Sequence, residues 1–213
     1  MSKISAPLSQ QPAQNNSEVL PFPIRDSDVG LVAALRAGRA DAATVLFDRH
    51  GRFIQRVLAR VLGPDPELSD VLHDVFVEAL QSLNHLEDPK CLRMWLTSIA
   101  VYSARGHIRR RKRRRIISYL PFHAVPQPAF LPRVEEWSQP LLVTYRVLDR
   151  MQNEERILFA LRYIEKLELT EVAKAVGVSL ATAKRRISKA QQHFFSLARQ
   201  EPVLVEWMQE AGK

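Results

Sequence analysis

Residues 92–115 read LRMWLTSIAVYSARGHIRRRKRRR, and this stretch limits the folds open to the chain more than any other. Its first half spaces apolar residues three and four apart and carries Trp95 and Tyr102, so it predicts an amphipathic helix that needs a core to cover it. Its second half is a basic run in which Arg105, Arg109, Arg110, Arg111, Lys112, Arg113, Arg114 and Arg115 are accompanied by no acid. Those eight cations equal the whole formal net charge of +8, so the rest of the chain balances. Cations closer together than a Debye length repel one another unless a polyanion offsets them. One element thus joins a core face to an anion-binding end, and nucleic acid is the first candidate partner.

A length of 213 residues leaves room for one large domain or two small ones, and 46% hydrophobic with 25% charged residues is ordinary globular composition. Cys91 is the only cysteine, which excludes an internal disulfide framework and a multi-cysteine zinc site and fits a reducing compartment. The N-terminus has no signal pattern, and the uncharged, helix-spaced run 94–104 is about half of what a membrane span needs. A cytoplasmic protein with no membrane partner is expected. A basic run beside an amphipathic helix also suits an anionic membrane surface, but Arg93 sits at its apolar start and there is no lipidation motif. His50, His73 and His85 lie near acids without metal-ligand spacing, and no nucleophile constellation or phosphate loop is present. The chain is therefore expected to hold no metal and no cofactor and to catalyse nothing.

Along the chain, residues 1–26 are rich in Ser, Pro, Gln and Asn and predict a disordered tail. A first helical domain follows over 27–117. Leu31, Val32 and Leu35, then Leu46 and Phe47, then Ile54, Val57, Leu58, Val61 and Leu62 recur at helical spacing; Asp41 is the expected N-cap, and Gly63-Pro64-Asp65-Pro66 is the expected stop. A helix over about 69–83 carries Val71, Leu72, Val75, Phe76, Ala79 and Leu80 on one side, with Asp70, Asp74 and Glu78 four apart on another. That acidic stripe reads equally as a solvated face and as a docking face for a basic partner. Five prolines between Pro121 and Pro140 make 118–140 an extended linker spanning at most ~75 Å, with Phe122, Phe130 and Trp137 more apolar than a tether requires.

Helical spacing resumes over 141–200, with 201–213 read as a C-terminal tail. Residues 167–195 have the form of a helix-turn-helix: Val172, Ala173 and Val176 pack the first helix, Gly177 makes the turn, and Ser179 caps the second helix. Ala183, Ile187 and Ala190 face inward, which leaves Ala181, Thr182, Lys184, Arg185, Ser188 and Lys189 outward. Small residues beside paired bases suit a major groove; a plain helical hairpin with a basic solvated face is the other reading. Since strand-like alternation is absent, the fold class is all-α: two small helical domains joined by a Pro-rich linker, the second a helix-turn-helix domain.

Two segments together resemble the extracytoplasmic-function group of bacterial RNA polymerase sigma factors. DVLHDVF (70–76) followed by LRMWLTSIAVY (92–102) is similar to the family's DLVQEVF and FRxWLxxIAxN helices. LRYIEKLELTEVAKAVGVSLATAKRR (161–186) is similar to its LRxxEGLSYxEIAxxLGxSxGTVKSR pattern. The resemblance implies a sigma factor with core RNA polymerase, promoter DNA and an anti-sigma protein as partners. It implies that Asp70, His73, Asp74, Phe76, Val77 and Glu78 bind polymerase. It assigns Ser82, Leu86, Trp95, Tyr102, Arg105, Arg109 and Arg110 to the −10 element. Ser179, Ala181, Thr182, Lys184, Arg185, Arg186, Ser188 and Lys189 go to the −35 element. Tyr102 stands where the family has Asn, and Gly106 where it has a polar residue, so the family's −10 base preference does not carry over. Lys166 replaces a common Gly, Arg185 replaces a Ser, and Glu168 replaces the Ser that caps the first helix of the pair, which predicts a weaker cap.

Overall fold

The computed structural model describes residues 27–117 and 138–211; the expected tail over 1–26 and the linker aromatics Phe122, Phe130 and Trp137 lie outside them. The described residues form nine α-helices and no strand. In the first domain these are α1 (Asp28–Arg36), α2 (Ala42–Leu62), α3 (Leu68–Gln81) and α4 (Leu92–Ile117). Ser27 caps α1 by accepting from Gly30 N at 3.0 Å. Asp41 does not cap α2: its own backbone is already helical and its carboxylate is held by Arg39 at 2.9 Å. At the other end, Gly63 closes α2 at φ 70°, a conformation that glycine adopts without strain. Asp88 accepts from Lys90 N at 2.9 Å in the turn that starts the chain into α4.

The second domain comprises α5 (Gln139–Arg150), α6 (Asn153–Phe159), which runs on into a π-helical turn (Ala160–Ile164), α7 (Leu169–Val176), α8 (Leu180–Ala198) and α9 (Pro202–Ala211). Helix α9 occupies the segment expected to be a tail. Pro202 opens the helix instead of ending one, as proline does where no N–H is needed, and Leu204 buries itself against α5 and α8 residues. Arg150 then ties α5 to Glu201 at 3.1 Å.

The two domains share a core. One cluster runs from Leu31 on α1 through Leu96, Ala100 and Ile108 on α4 to Leu161 of the π-helical turn and Val172, Ala183 and Ile187 of the helix-turn-helix. Helix α4 packs on α2 and α3 with one side and on α6 and α7 with another. A second, smaller cluster of Val143, Leu148, Phe159, Phe194 and Leu204 belongs to the second domain alone.

Candidate nucleic-acid and polymerase interfaces

Helix α8 is built as its sequence requires. Ser179 Oγ accepts from Thr182 N at 3.2 Å and its hydroxyl donates to Thr182 Oγ1 at 2.9 Å, so both side chains serve the cap. Gly177 adopts the left-handed conformation at φ 72° that turns α7 into α8. The expected weak start of α7 is compensated: Glu171, three residues in, accepts from Glu168 N at 2.8 Å and rebuilds a capping box. Ala183, Ile187 and Ala190 are buried, while Ser179, Ala181, Lys184, Arg185, Arg186, Ser188 and Lys189 are exposed and Thr182 is half-buried. Ala181, Lys184, Arg185, Ser188 and Lys189 line one open hollow together with Gln192, which the sequence pattern did not single out. Behind α8, the nearly buried Glu155 meets His193 Nδ1 at 2.7 Å and Lys189 Nζ at 3.4 Å. Burial pushes its carboxyl up, but hydrogen bonds from His193 and Lys189 outweigh this and hold it below the usual range.

On α4 the residues expected to act together separate by exposure. Tyr102 is 70% exposed, whereas Trp95 is half-buried against the shared core. Arg109 and Arg110 are exposed. Arg105 is partly covered: Nη2 donates to Glu154 Oε2 at 3.3 Å, and Nε lies 2.7 Å from Glu154 Oε1 without hydrogen-bond alignment. Leu86 corrects the −10 assignment, since it is 3% exposed and has almost no side-chain surface to offer DNA. Ser82, half-buried, turns its hydroxyl back onto Glu78 O at 2.6 Å.

On α3, Asp70, His73, Asp74, Val77 and Glu78 are exposed along the helix. Phe76 is the correction here. It is buried, with its ring edge-on to Phe47 at 5.1 Å, and Phe47 is the ring that stands half in solvent. The exposed apolar surface on this side therefore comes from Phe47, Val77 and Leu80. Phe47 and Leu80 follow the same periodicity as the core, which is why spacing alone placed them inside.

The most buried polar network lies where the domains meet. Asp65, from the turn after α2, accepts from Arg111 Nη1 at 2.7 Å and pairs with His107 Nε2 at 2.9 Å. Burial would raise the Asp65 carboxyl, but the hydrogen bond and charge of His107, with Arg111, hold it below the ordinary 3.8. Arg111 also donates to Asp149 of α5 at 2.6 Å. Arg156 of α6 is 0% exposed; it donates to Val61 O at 3.0 Å and Leu62 O at 2.7 Å, and bonds Asp149 as well. Tyr145 donates to Arg60 O at 3.1 Å, and burial pushes its phenol up to about 12. Nothing at the sequence level links residues so far apart along the chain.

Comparison with known proteins fits this architecture. The family descriptions Sigma-70 region 2 and Sigma-70, region 4 match residues 46–114 and 141–194, between them more than half of the chain. Among relatives, the chain is 26% identical over 192 residues to the RNA polymerase sigma factor NccH of Alcaligenes xylosoxydans xylosoxydans, covering 84% of this chain and 99% of that one. It is 24% identical over 152 residues to the sigma factor SigV of Bacillus subtilis, covering 71% and 87%. To the ECF RNA polymerase sigma-E factor of Escherichia coli it is 22% identical over 178 residues, covering 78% and 91%. Its fold resembles that of CnrH, solved with the cytosolic domain of CnrY, at TM-score 0.58 and 23% identity, covering 83% of this chain and 99% of that chain. It also resembles RpoE of Bartonella quintana, solved with the anti-sigma factor NepR, at TM-score 0.52 and 14% identity, covering 76% and 99%. Helical domains of both types, in the family's order and over most of the length of its relatives, show that the chain belongs to the sigma-70 family, in the extracytoplasmic-function group of promoter-directing RNA polymerase sigma factors.

Proposed function

We propose that each element has a separate task in initiation. Helix α8 enters the major groove of the −35 element, where Lys184, Arg185 and Arg186 reach guanine edges and phosphates and Ala181 and Ser188 let the backbone approach. The observation that supports this most directly is the capped, outward face of α8, whose cations stand on a helix anchored by Ala183, Ile187 and Ala190. Helix α4 holds the melted −10 segment: the open Tyr102 ring stacks on an unpaired base, and Arg109 and Arg110 neutralise the backbone beside it. Stacking is available only to a base that has left the duplex, so this contact favours the melted form. The acidic stripe of α3, with Phe47, Val77 and Leu80 alongside, docks on a basic and apolar surface of core polymerase.

The chain works by differential binding, catalyses no reaction itself, and acts where polymerase is, in the cytoplasm. The solved neighbour RpoE has an anti-sigma factor as partner, and a partner of this kind is proposed for this chain. In-vitro transcription across a promoter library tests the reading: core polymerase with the full chain should initiate at a defined promoter subset, and core alone should not. Tight, specific promoter binding by the chain without core, and no stimulation of core, would make it a free-standing repressor or activator instead.

A further inference from the structure

The basic end of α4 is sorted by rotation about the helix axis. His107, Arg111 and Arg114 recur at i, i+4 and i+7, so they share one face. That face lies against the turn that follows α2. Asp65 there meets His107 at 2.9 Å and Arg111 at 2.7 Å, while Glu67 bonds Arg114 and stands 3.7 Å from His107 Nδ1. Arg111 donates to Asp149 as well. The turn is itself braced, because Asp65 Oδ1 accepts from Glu67 N at 3.0 Å. Arg105 and Lys112 point another way, toward Glu154 and Met151 O. A third face carries Tyr102, Gly106, Arg109 and Arg113 at i, i+4, i+7 and i+11, with Arg110 beside them. Arg109, Arg110 and Arg113 are exposed, and among the described residues no carboxylate meets them. Arg110 lays its guanidinium back over Gly106, where Nη1 is 3.6 Å from the place a Cβ would take. A cation thus stands one turn from the open Tyr102 ring.

We infer that Asp65 and Glu67 are positioning residues for the −10 strand: they fix the rotation of α4 so that Tyr102, Arg110 and Arg113 form one open stripe, in which Arg113 is a further contact for the phosphates of the melted strand. The stripe runs about 16 Å at ~1.5 Å per residue. It offers a ring to one unpaired base and then cations to the backbone that follows it, and Arg113 is its far end, a contact that the family resemblance leaves out. Eight cations crowd residues 105–115, and like charges four apart weaken a helix. Carboxylates under one face relieve that repulsion from the inside. The outer cations keep their charge for phosphate, which they bind by the same charge-assisted hydrogen bonds that hold the inner ones to Asp65 and Glu67. The sign of the effect is distinctive. Removing an acid makes the chain more positive, which by charge alone tightens DNA binding, whereas loss of position weakens it.

The inference rests on the assignment of α4 to the −10 strand, and the experiment keeps the two apart. The full chain with core polymerase is read for permanganate reactivity of the melted thymines and for the salt dependence of the promoter complex. Arg113→Ala is compared with Arg114→Ala, its neighbour on the inner face, since both remove one charge. The slope of log K against log salt should fall by about 0.7 for Arg113→Ala only. Glu67→Arg, at a side chain 41% exposed, places a cation against Arg114 and His107 without burying it. It should lower permanganate reactivity several-fold despite the added positive charge, and adding Arg114→Glu should restore it. An equal slope change in the two arginine variants, or none in Arg113→Ala, overturns the stripe. Higher or unaltered reactivity in Glu67→Arg, or no recovery with Arg114→Glu, overturns the positioning role. Tyr102→Ala and Arg109→Ala gauge the underlying assignment. If they too leave the footprint unchanged, α4 does not hold the −10 strand; if they lower it while Glu67→Arg and Arg113→Ala do nothing, only the turn and Arg113 lose their roles.

Discussion

Tyr102 offers most of its ring to solvent while Trp95, seven residues earlier on the same helix, is half taken up by the core. The two aromatics are therefore not equivalent. Replacing Tyr102 with Ala should cost open-complex formation about 1–3 kcal/mol, the worth of one base stacked on an aromatic ring. Permanganate reactivity of the melted −10 thymines should fall while initial promoter binding holds; unchanged footprints would remove Tyr102 from base capture. Two glycines make opposite predictions. Gly106 lies in the interior of α4, where an added Cβ meets only the end of the flexible Arg110 side chain at 3.6 Å. Gly106→Ala should thus stabilise the chain by about 0.5–1 kcal/mol in thermal unfolding. A Cβ on Gly63 would fall 2.5 Å from the Tyr145 ring on a backbone at φ 70°, so Gly63→Ala is strained twice over. It should lower the melting temperature and loosen the domain contact together.

At the scale of the element, α8 owes its start to Ser179, whose hydroxyl oxygen accepts the Thr182 N–H. Ser179→Ala should cost about 1 kcal/mol of stability, measurable by urea denaturation of the full chain. The charge on α8 is read differently, through salt. If Lys184 and Arg185 each neutralise a phosphate, replacing both with Ala should lower the slope of log K against log salt by about 1.8 for the polymerase-bound promoter complex. A slope that does not change would mean that these cations stay in solvent. Much of this element was legible beforehand: the buried spacing of Ala183, Ile187 and Ala190, the Gly177 turn and the Ser179 cap are local, and local rules apply wherever the helix packs. The start of α7 was read less well, because the substitution of Glu168 was weighed without its reciprocal partner Glu171. Residues 201–213 read as a tail, yet α9 forms there, because Pro202 suits a first helical position and Leu204 finds cover on α5 and α8.

For the whole molecule, the buried Asp65 sets a pH limit. Its folded-state pKa is depressed, so the native state binds its proton less readily than the unfolded chain does. The stability it contributes is fully present above the unfolded carboxylate value of about 3.9 and is lost as pH falls through the lower folded value. Between pH 5 and pH 3 the melting temperature should fall, and Asp65→Asn should flatten that fall while lowering stability at neutral pH. A parallel loss in both proteins would place the acid sensitivity elsewhere.

What the sequence determined by itself is whatever depends on near neighbours along the chain: all-helical structure from 3.6-residue spacing, a basic end on α4 from composition, and a capped helix-turn-helix from Gly177 and Ser179. Those features set the face that α8 turns outward, while the family came from the resemblance of the motifs at 70–76, 92–102 and 161–186. Only the tertiary structure decided that Leu86 is inside and that Phe47 and Leu80 are outside, and that Phe76 follows its helical spacing into the core and not the resemblance. Only it showed that Arg105, Arg111 and Lys112 are held by the second domain, and that Arg156 crosses between domains to cap α2. The physical reason is that periodicity says which residues share a helix face but not what covers that face. A charge counted as free in a sequence is free in the molecule only if no carboxylate from a distant segment folds against it.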